Sequence, residues 1–343
     1  MHSDLSFGAD LTPEQVVTEA TAAGLDGFAS TEHNTADGHQ HWAATGAGPL
    51  VILGQEVVTG TGHWLALGLP PGQVIGWDYR ARDRVVHEHV RRVRDSGGLC
   101  VAAHPFAPYP CGTFGYSYSQ FDAVEVWNGQ WSSDVPWQAD NETALAEWGR
   151  RLISEVESAR WLPAVGGSDA HLTGQIAVPR TVVLADSLSV AEVLAGVRDG
   201  RAWIAGSSQV GLQVIASCGD AVAGLGQRLN TGGADAVIRV EVSGVPDGAV
   251  TLHTDRGIAH RADLAPTGHH DEGMDNHRHR VRLRPGRGPP SRPADGCTDQ
   301  SHHPVLTRAR PGRRPSSRRT APHRQELVEG WGPPEQCQRA RLR

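Results

Sequence analysis

Short β-prone runs in the first half of the chain repeatedly end in histidine or carboxylate side chains. These endings are Glu32-His33, Gln55-Glu56, Gly62-His63, Ala103-His104 and Ser168-Asp169-Ala170-His171. Helical patterns separate several of the runs, and parallel strands joined by helices bring their carboxyl ends to one edge of a sheet. The sequence therefore predicts a mostly parallel α/β barrel with these polar groups gathered at one end.

Helix signals support this alternation of elements. Thr12 is placed as an N-cap, with Pro13 at the first helical position and Gln15 three residues past the cap. Further helices are predicted within residues 78–98 and 141–160, where apolar residues recur at helical spacing. The helices between the strand-like runs are those that an α/β fold requires.

The pattern changes near residue 207. Residues 208–265 contain alternating strands separated by turn residues, which predicts a small antiparallel region resembling part of a sandwich. Residues 266–343 are rich in Arg and Pro and have no helical or strand period. We therefore expect a barrel over 1–207, a partial β-sandwich-like region over 208–265 and a disordered basic tail over 266–343.

The tail also differs in charge. The whole chain has a formal net charge of -6, yet residues 277–343 hold 16 Arg and five acidic residues. Three interpretations stay open: a polyanion-binding arm, a solvated linker, and translation in a shifted reading frame beyond Thr254. The chain contains no Lys, which indicates GC-rich coding DNA and favours the shifted frame. The tail therefore says little about function.

Composition limits the class of protein and the kind of metal site. The chain has 343 residues, of which 38% are hydrophobic, enough for one large core and a small second one. It has neither an apolar run of about 18 residues nor a signal-peptide pattern, so we expect a soluble, cytoplasmic protein without a membrane partner. Its five cysteines include no CxxC pair. Any metal ligands are therefore His, Asp or Glu.

The histidines and carboxylates that end the runs have the chemistry of a multi-metal site. Each motif alone has an ordinary explanation, such as a packed, hydrogen-bonded His or a carboxylate that caps a loop. Their joint occurrence favours metal binding, because converging nitrogen and oxygen donors suit Zn, Mn or Fe. Asp169 and His171 are two apart on a segment that we expect to be extended, so both should face one cluster.

Five motifs carry a resemblance to a known family. They are TEHN, GQE, GHWLALG, AHP and GSDAH, in this order. Over about residues 2–207 the chain resembles the PHP (polymerase and histidinol phosphatase) superfamily of metallohydrolases. The residues of its motifs are most similar to those of the carbaryl-hydrolase-like CehA/McbA branch. The resemblance implies a distorted (β/α)7 barrel missing part of its first strand, followed by a small truncated antiparallel β-region.

Two positions depart from the family pattern. The family begins with an HxH motif, in which His2 matches the second histidine and the first has no counterpart. If Met1 is the middle residue of such a motif, one ligand and part of the first strand are missing. Phe7 stands where many members carry an Asp ligand, and Asp4 or Asp10 is a candidate replacement.

Carried over residue by residue, the resemblance implies two or three divalent metal ions. The ligands implied for the first ion are His2, Glu56 and Asp169. Those implied for the second are Glu56, His63 and His104, with Glu56 as the bridge. The ligands implied for a third ion, where it is present, are His33 and His171. Zn, Mn and Fe all suit such a set.

Three residues are assigned to the chemistry. Asp169 is expected to shuttle the proton of the attacking water. Arg180, which follows the last ligand motif, is expected to act in catalysis and to bind an anionic substrate, with a surface ion pair as the alternative. Asn128, at a strand end, is expected to contact the substrate, with a turn residue as the alternative.

The predicted function is hydrolysis of a small-molecule substrate by a metal-bridging hydroxide. Phosphoester cleavage is the leading reaction, and carbamate, ester or amide cleavage is the alternative. Some aromatic residues either form apolar pocket walls or belong to the core: Trp42, Trp64, Tyr109, Trp127, Trp131 and Trp137. A hypothesis of another class is a truncated, inactive product, or a protein that binds polyanions through its tail. No specific nucleic acid is expected, and the oligomeric state stays open.

Overall fold

The computed structural model describes residues 1–43, 48–109, 111–132, 139–155, 158, 161–245 and 248–264, together with the backbone of 276–283. Apart from that last backbone segment, the predicted tail over 266–343 lies outside the described residues. The described part contains five α-helices, namely α1 (Pro13–Ala22), α2 (His39–Ala43), α3 (Val86–Asp95), α4 (Asn141–Ser154) and α5 (Val190–Arg198). None of them combines the length and the apolar character needed to cross a membrane.

Six strands form the main sheet, in the order in which they occur along the chain. They are β1 (Gly27–Ser30), β2 (Leu50–Thr59), β3 (Gly62–Leu67), β4 (Leu99–Ala102), β5 (Ala123–Asn128) and β6 (Ala164–Gly167). The pairs β1/β2, β4/β5 and β5/β6 are parallel, whereas β3 is antiparallel to both neighbours. The architecture is mixed α/β, with this sheet curled into a half-barrel.

Two further strands lie beside β6. They are β7 (Arg180–Val183) and β8 (Ala202–Ala205), which form an antiparallel pair of their own. The Thr181 hydroxyl on β7 accepts from the Gly166 N–H and donates to the Gly166 carbonyl, so a side chain links β7 to β6. Because β7 and β8 stand outside the six-stranded ladder, the closed seven-stranded barrel stays a prediction.

The helix signals of the sequence work as expected. Thr12 caps α1, and Thr12 and Gln15 form a capping box with Pro13 in the first turn. Ser189 caps α5. Helix α3 buries Val90 and Val93 against the outer face of the sheet, which leaves the carboxyl edge of the strands free for polar groups.

The first residues of the chain close part of the gap between β1 and β6. The Met1 ammonium donates to the Ala29 carbonyl at 3.2 Å, and the Thr31 N–H donates to the Met1 carbonyl at 3.0 Å. On the other side, the His2 N–H donates to the Ala170 carbonyl at 2.9 Å. Met1 and His2 therefore lie in a strand-like position at the carboxyl edge of the sheet.

A cavity of about 660 Å³ opens on the concave face of the half-barrel. Apolar side chains from several strands and from α5 line much of it, including Ile52, Leu65, Leu99, Val101 and Leu194. Its polar end is formed by side chains at the strand ends, including Glu56, His104, Glu125 and Asp169. The curl of the sheet thus places charged groups at the end of an apolar chamber.

The rest of the described chain is antiparallel. A four-stranded sheet has the order β10 (Ala221–Ala223), β9 (Gly211–Cys218), β11 (Ala236–Ser243) and β14 (Asn276–Leu283), and a hairpin joins β12 (Gly248–Thr254) to β13 (Gly257–Leu264). Strand β14 extends beyond residue 265, the predicted end of this region. Its sequence NHRHRVRL alternates Val281 and Leu283 with Arg, so the prediction that the tail has no strand period is wrong for these residues.

Candidate metal centre

The ends of several strands bring seven ionisable side chains together. Glu56 and His63 lie on the β2–β3 hairpin, His33 and His104 follow β1 and β4, and Asp169 and His171 follow β6. His2 joins them from the amino-terminal segment. The structure therefore gathers all seven residues assigned as ligands from the sequence: His2, His33, Glu56, His63, His104, Asp169 and His171.

Glu56 is the centre of this cluster. Its Oε1 lies 2.8 Å from His63 Nδ1 and 3.1 Å from His104 Nε2. Its Oε2 lies 3.1 Å from His2 Nε2 and 3.6 Å from His33 Nε2. One buried carboxylate thus faces four imidazoles, two on each oxygen, which is the arrangement of a carboxylate shared by neighbouring cations.

Three overlapping groups of side chains could each hold an ion. They are His2, Glu56 and Asp169; Glu56, His63 and His104; and His2, His33 and His171. Within each group the ligand atoms lie within 4.8 Å of one another. The first two groups share Glu56 and match the sets that the resemblance implies, and the third adds His2 to the predicted pair.

Two of the imidazoles are oriented by backbone carbonyls. His33 Nδ1 lies 2.7 Å from the Phe7 carbonyl, and His171 Nδ1 lies 2.7 Å from the Asp169 carbonyl. Because a carbonyl can only accept, each Nδ1 carries the proton and each Nε2 keeps its lone pair. This tautomer is the one that a neutral His uses to bind a metal through Nε2.

The pKa values show that two imidazoles of the cluster are not protonated to the cationic form at pH 7. Burial and, to a smaller extent, the nearby charge of His2 lower the pKa of His33 to about 3 and that of His171 to about 4. These two imidazoles are therefore neutral at pH 7. The His33 and His171 rings each lie 4.2 Å from the His2 ring and 5.3 Å from each other, which disfavours a positive charge on all three.

The remaining groups have opposite shifts. Burial lowers the pKa of His2, but hydrogen bonds with Asp169 and Glu56 outweigh it and raise the value to about 9. For His104, burial is likewise outweighed by Glu56, and the pKa rises to about 9. Burial raises the pKa of Glu56 and Asp169, yet hydrogen bonds from the histidines hold both well below their ordinary values. Two anions and the lone pairs of neutral His33 and His171 form a site that fits divalent cations, which would displace one proton each from His2 and His104.

One side of the cluster faces solvent. His2, Glu56, His63 and His104 are at most 5% exposed. The side chains of His33, His171 and Asp169 are 12%, 14% and 27% exposed. A small molecule would reach the cluster from this side, where Asp169 is the most accessible acidic group.

The segment after β6 differs from the extended conformation predicted for it. Asp169 has a φ of 47°, in the left-handed region, so alternation along a strand does not explain why Asp169 and His171 face the same cluster. The turn instead brings the His171 ring back onto the Asp169 carbonyl. Both residues lie in the cluster, but the extended backbone predicted for this segment is wrong at Asp169.

The other predicted site residues have structural contacts. Arg180 donates to the carbonyls of Ala23 (2.9 Å) and Ala177 (3.3 Å), and it lines the cavity. Asn128 lines the same cavity and donates through Nδ2 to Glu125 at 3.1 Å. Their roles toward a substrate stay predictions.

The candidate replacements for the missing Asp ligand do not join the cluster. Asp4 and Asp10 are exposed and belong to none of the donor groups found among the described residues. Phe7, which occupies the position of that ligand in the resemblance, is 51% exposed and contributes its carbonyl to His33 instead.

The aromatic residues predicted as pocket walls or core divide between the two. Trp42 and Trp64 are 2% and 0% exposed and belong to the core. The Tyr109 ring lies 5.9 Å from that of His63 and 6.5 Å from that of His104, so it borders the cluster. The ring centroids of Trp127, within β5, and Trp131, past the end of β5, are 5.1 Å apart. Trp137 lies outside the described residues.

Two contributions to the site were not predicted. Glu125 is buried in β5 and accepts the backbone N–H of His104 at 2.7 Å, and burial raises its pKa to about 7. Glu32 is buried and accepts from both the N–H and the hydroxyl of Ser3, next to His2. A carboxylate inside the apolar run FDAVEVW was a usable signal for Glu125, because an isolated buried charge is costly.

Comparison with known proteins gives a match over one part of the chain. A family model described as PHP-associated matches residues 151–202, which include β6, Asp169 and His171. The match supports a relation to the PHP superfamily. No curated protein matches the chain. The carbaryl-hydrolase-like branch stays a prediction.

Proposed function

We propose that the chain is a metal-dependent hydrolase, with phosphoesters as its leading substrate class. The observation that carries this proposal is Glu56, a buried carboxylate whose two oxygens face four histidine nitrogens. Divalent ions held by such a cluster supply a water of lowered pKa and positive charge that stabilises the anion formed during hydrolysis. The relation to the PHP superfamily is consistent with this chemistry.

The residues of the cluster have different roles in this proposal. Buried Glu56, His63 and His104 exclude bulk water from one side of the cluster and strengthen its electrostatic interactions. Asp169 lies on the open side, and its carboxylate is ionised because the hydrogen bond from His2 outweighs burial and keeps its pKa low. The free oxygen of Asp169 is the candidate acceptor for the proton of the attacking water.

The Asp169→Asn substitution tests this role. We expect it to reduce the turnover of p-nitrophenyl phosphate by about 100-fold or more, because the amide cannot accept the proton. The matched control is Asp10→Asn, a change to an exposed carboxylate outside the donor groups, which should leave turnover unchanged. Wild-type turnover in Asp169→Asn would contradict the role of Asp169.

Carbamate or carboxylic ester hydrolysis is the second candidate, and the open side of the cluster favours it. Phe7 and Leu172 have exposed apolar side chains. The Phe7 carbonyl contacts His33 Nδ1, and Leu172 directly follows His171 in the chain. Arg180, the predicted anion-binding group, is engaged with backbone carbonyls. The ratio of kcat/KM for a naphthyl carbamate to that for p-nitrophenyl phosphate decides between the two classes.

A further inference from the structure

Glu125 connects three neighbouring strand ends beneath the cluster. It is 4% exposed and lies in the middle of β5. Its Oε2 accepts from the backbone N–H of His104 at 2.7 Å and from Asn128 Nδ2 at 3.1 Å. Its Oε1 faces the backbone of Gly167, where an added Cβ would lie only 2.5 Å away. One carboxylate therefore contacts the residues that end β4, β5 and β6.

The backbone of His104 needs such a contact. Its φ is 23°, in the left-handed region that side-chain-bearing residues seldom adopt, and such a conformation persists only where neighbouring contacts impose it. The hydrogen bond to Glu125 and the one from the Ala107 N–H to the His104 carbonyl supply these contacts.

Among the described residues, the His104 ring has a hydrogen-bond partner at one nitrogen only. Its Nε2 faces Glu56, whereas its buried Nδ1 has no hydrogen-bond partner among the described residues. In most metal sites the second nitrogen of a ligating His is held by a carbonyl or a carboxylate. Here the position of the ring depends on the backbone, and the backbone is held by Glu125.

We infer that Glu125 is a positioning residue of the centre, which fixes the His104 ring and the approach of the Gly167–Asp169 segment without holding an ion itself. Glu125 belongs to none of the donor groups in the described part of the chain. The inference rests on the proposed metal centre, because it assigns Glu125 the task of setting the geometry of two of its ligands.

The direct test uses Co(II), whose visible absorption reports the geometry of its ligands. We expect Glu125→Ala to fold, to change the spectrum of the bound Co(II) and to weaken Co(II) binding about tenfold or more. Glu125→Gln keeps an acceptor for the His104 N–H and should restore most of the affinity. Gly167→Ala places a methyl group against Oε1 and should change the spectrum in the same direction as Glu125→Ala.

Asp122 provides a matched control. It is a 7% exposed carboxylate that accepts the Cys100 N–H at 2.9 Å, so it also ties β5 to β4, but at the opposite end of the strands. Asp122→Ala should lower the melting temperature and leave the Co(II) spectrum unchanged. A purely structural role for Glu125 would give the same result for both carboxylates.

The outcomes separate the inference from the proposed function. If Glu125→Ala and Gly167→Ala bind Co(II) with the wild-type spectrum and affinity, the inference is wrong. If Glu125→Ala does not fold, Gly167→Ala and Glu125→Gln decide in its place. Wild-type protein that binds Co(II) but hydrolyses no ester contradicts only the proposed function, whereas wild-type protein that binds no Co(II) contradicts both.

Discussion

At the level of single residues, protons and metal ions compete for the same nitrogen atoms. His2 and His104 have pKa values of about 9 because Glu56 and Asp169 outweigh the effect of burial. Both imidazoles are therefore cationic at pH 7 in the metal-free protein, with a proton on each ring nitrogen. A cation that binds Nε2 must displace these protons, so binding and titration are linked.

This linkage predicts a strong pH dependence of metal binding. Because the pKa values of His2 and His104 are raised, the protons are held below about pH 9, and metal affinity should rise from pH 7 to pH 9 and then level off. Titration calorimetry in buffers of different ionisation enthalpy should detect release of about two protons near pH 7.5. An affinity that does not change over this range, or binding without proton release, would contradict the assignment of these two ligands.

The side chains that form the cluster could be named from the sequence, but the backbone conformation and the hydrogen bonds around them could not. All seven predicted residues meet in one cluster: six belong to the groups of His and carboxylates that stand out in the sequence, and His2 was assigned from the family resemblance alone. The left-handed backbone of His104 and Asp169 could not be seen, since nothing in AHP or SDAH marks a positive φ. Glu125 was not predicted as a site residue because its hydrogen-bond partner is the backbone N–H of His104. Nearly every residue has such a group, so the sequence does not mark the contact.

At the level of elements, the amino-terminal segment depends on one buried pair. Glu32 follows β1 and accepts from the Ser3 N–H at 3.0 Å and from the Ser3 hydroxyl at 2.7 Å. Both residues are fully buried. The pair holds the segment that carries His2 at the edge of the sheet.

Removing one of these hydrogen bonds should destabilise the protein and its metal site together. Ser3→Ala leaves a buried carboxylate oxygen without its hydroxyl donor, so the free energy of unfolding should fall by about 1–3 kcal/mol and metal affinity should fall as well. Thr18→Ala is the control, because Thr18 is exposed on α1 and its hydroxyl contacts only a helix carbonyl, and it should change stability by less than about 0.5 kcal/mol. Chemical denaturation of the metal-free variants gives the comparison, and equal stabilities would argue against the Ser3–Glu32 pair.

Element types were more predictable than their arrangement. The capping box at Thr12 and the strands β9 and β11 were predicted from local sequence, and the structure contains both. The pairing of β14 depends on a free strand edge elsewhere in the chain, which a local pattern cannot reveal. The same limit applies to β7 and β8, whose runs resemble barrel strands but pair with each other.

At the level of the whole molecule, bound ions should contribute to stability. The cluster joins residues that lie on or follow β1, β2, β3, β4 and β6 to the amino-terminal segment. A ligand that binds only the folded state stabilises it by about 2.7 kcal/mol at a free concentration 100 times its Kd. We expect Zn²⁺ or Mn²⁺ to raise the melting temperature by roughly 5 °C or more. Ca²⁺ should have a much smaller effect, because it prefers oxygen ligands and the cluster is rich in imidazole. Equal shifts for Ca²⁺ and Zn²⁺ would indicate nonspecific binding.

The most direct test of the account is the metal content of the folded protein with and without Glu56. After loading with Zn²⁺ or Mn²⁺ and removal of excess ion, elemental analysis should find about two or more ions per wild-type chain. Glu56→Gln should lose at least one of them while keeping the wild-type circular dichroism spectrum, because one side-chain oxygen of Gln cannot replace a shared carboxylate. A wild-type protein without bound metal, or a Glu56→Gln protein with undiminished metal content, would contradict the claim that this cluster is a metal centre organised around Glu56.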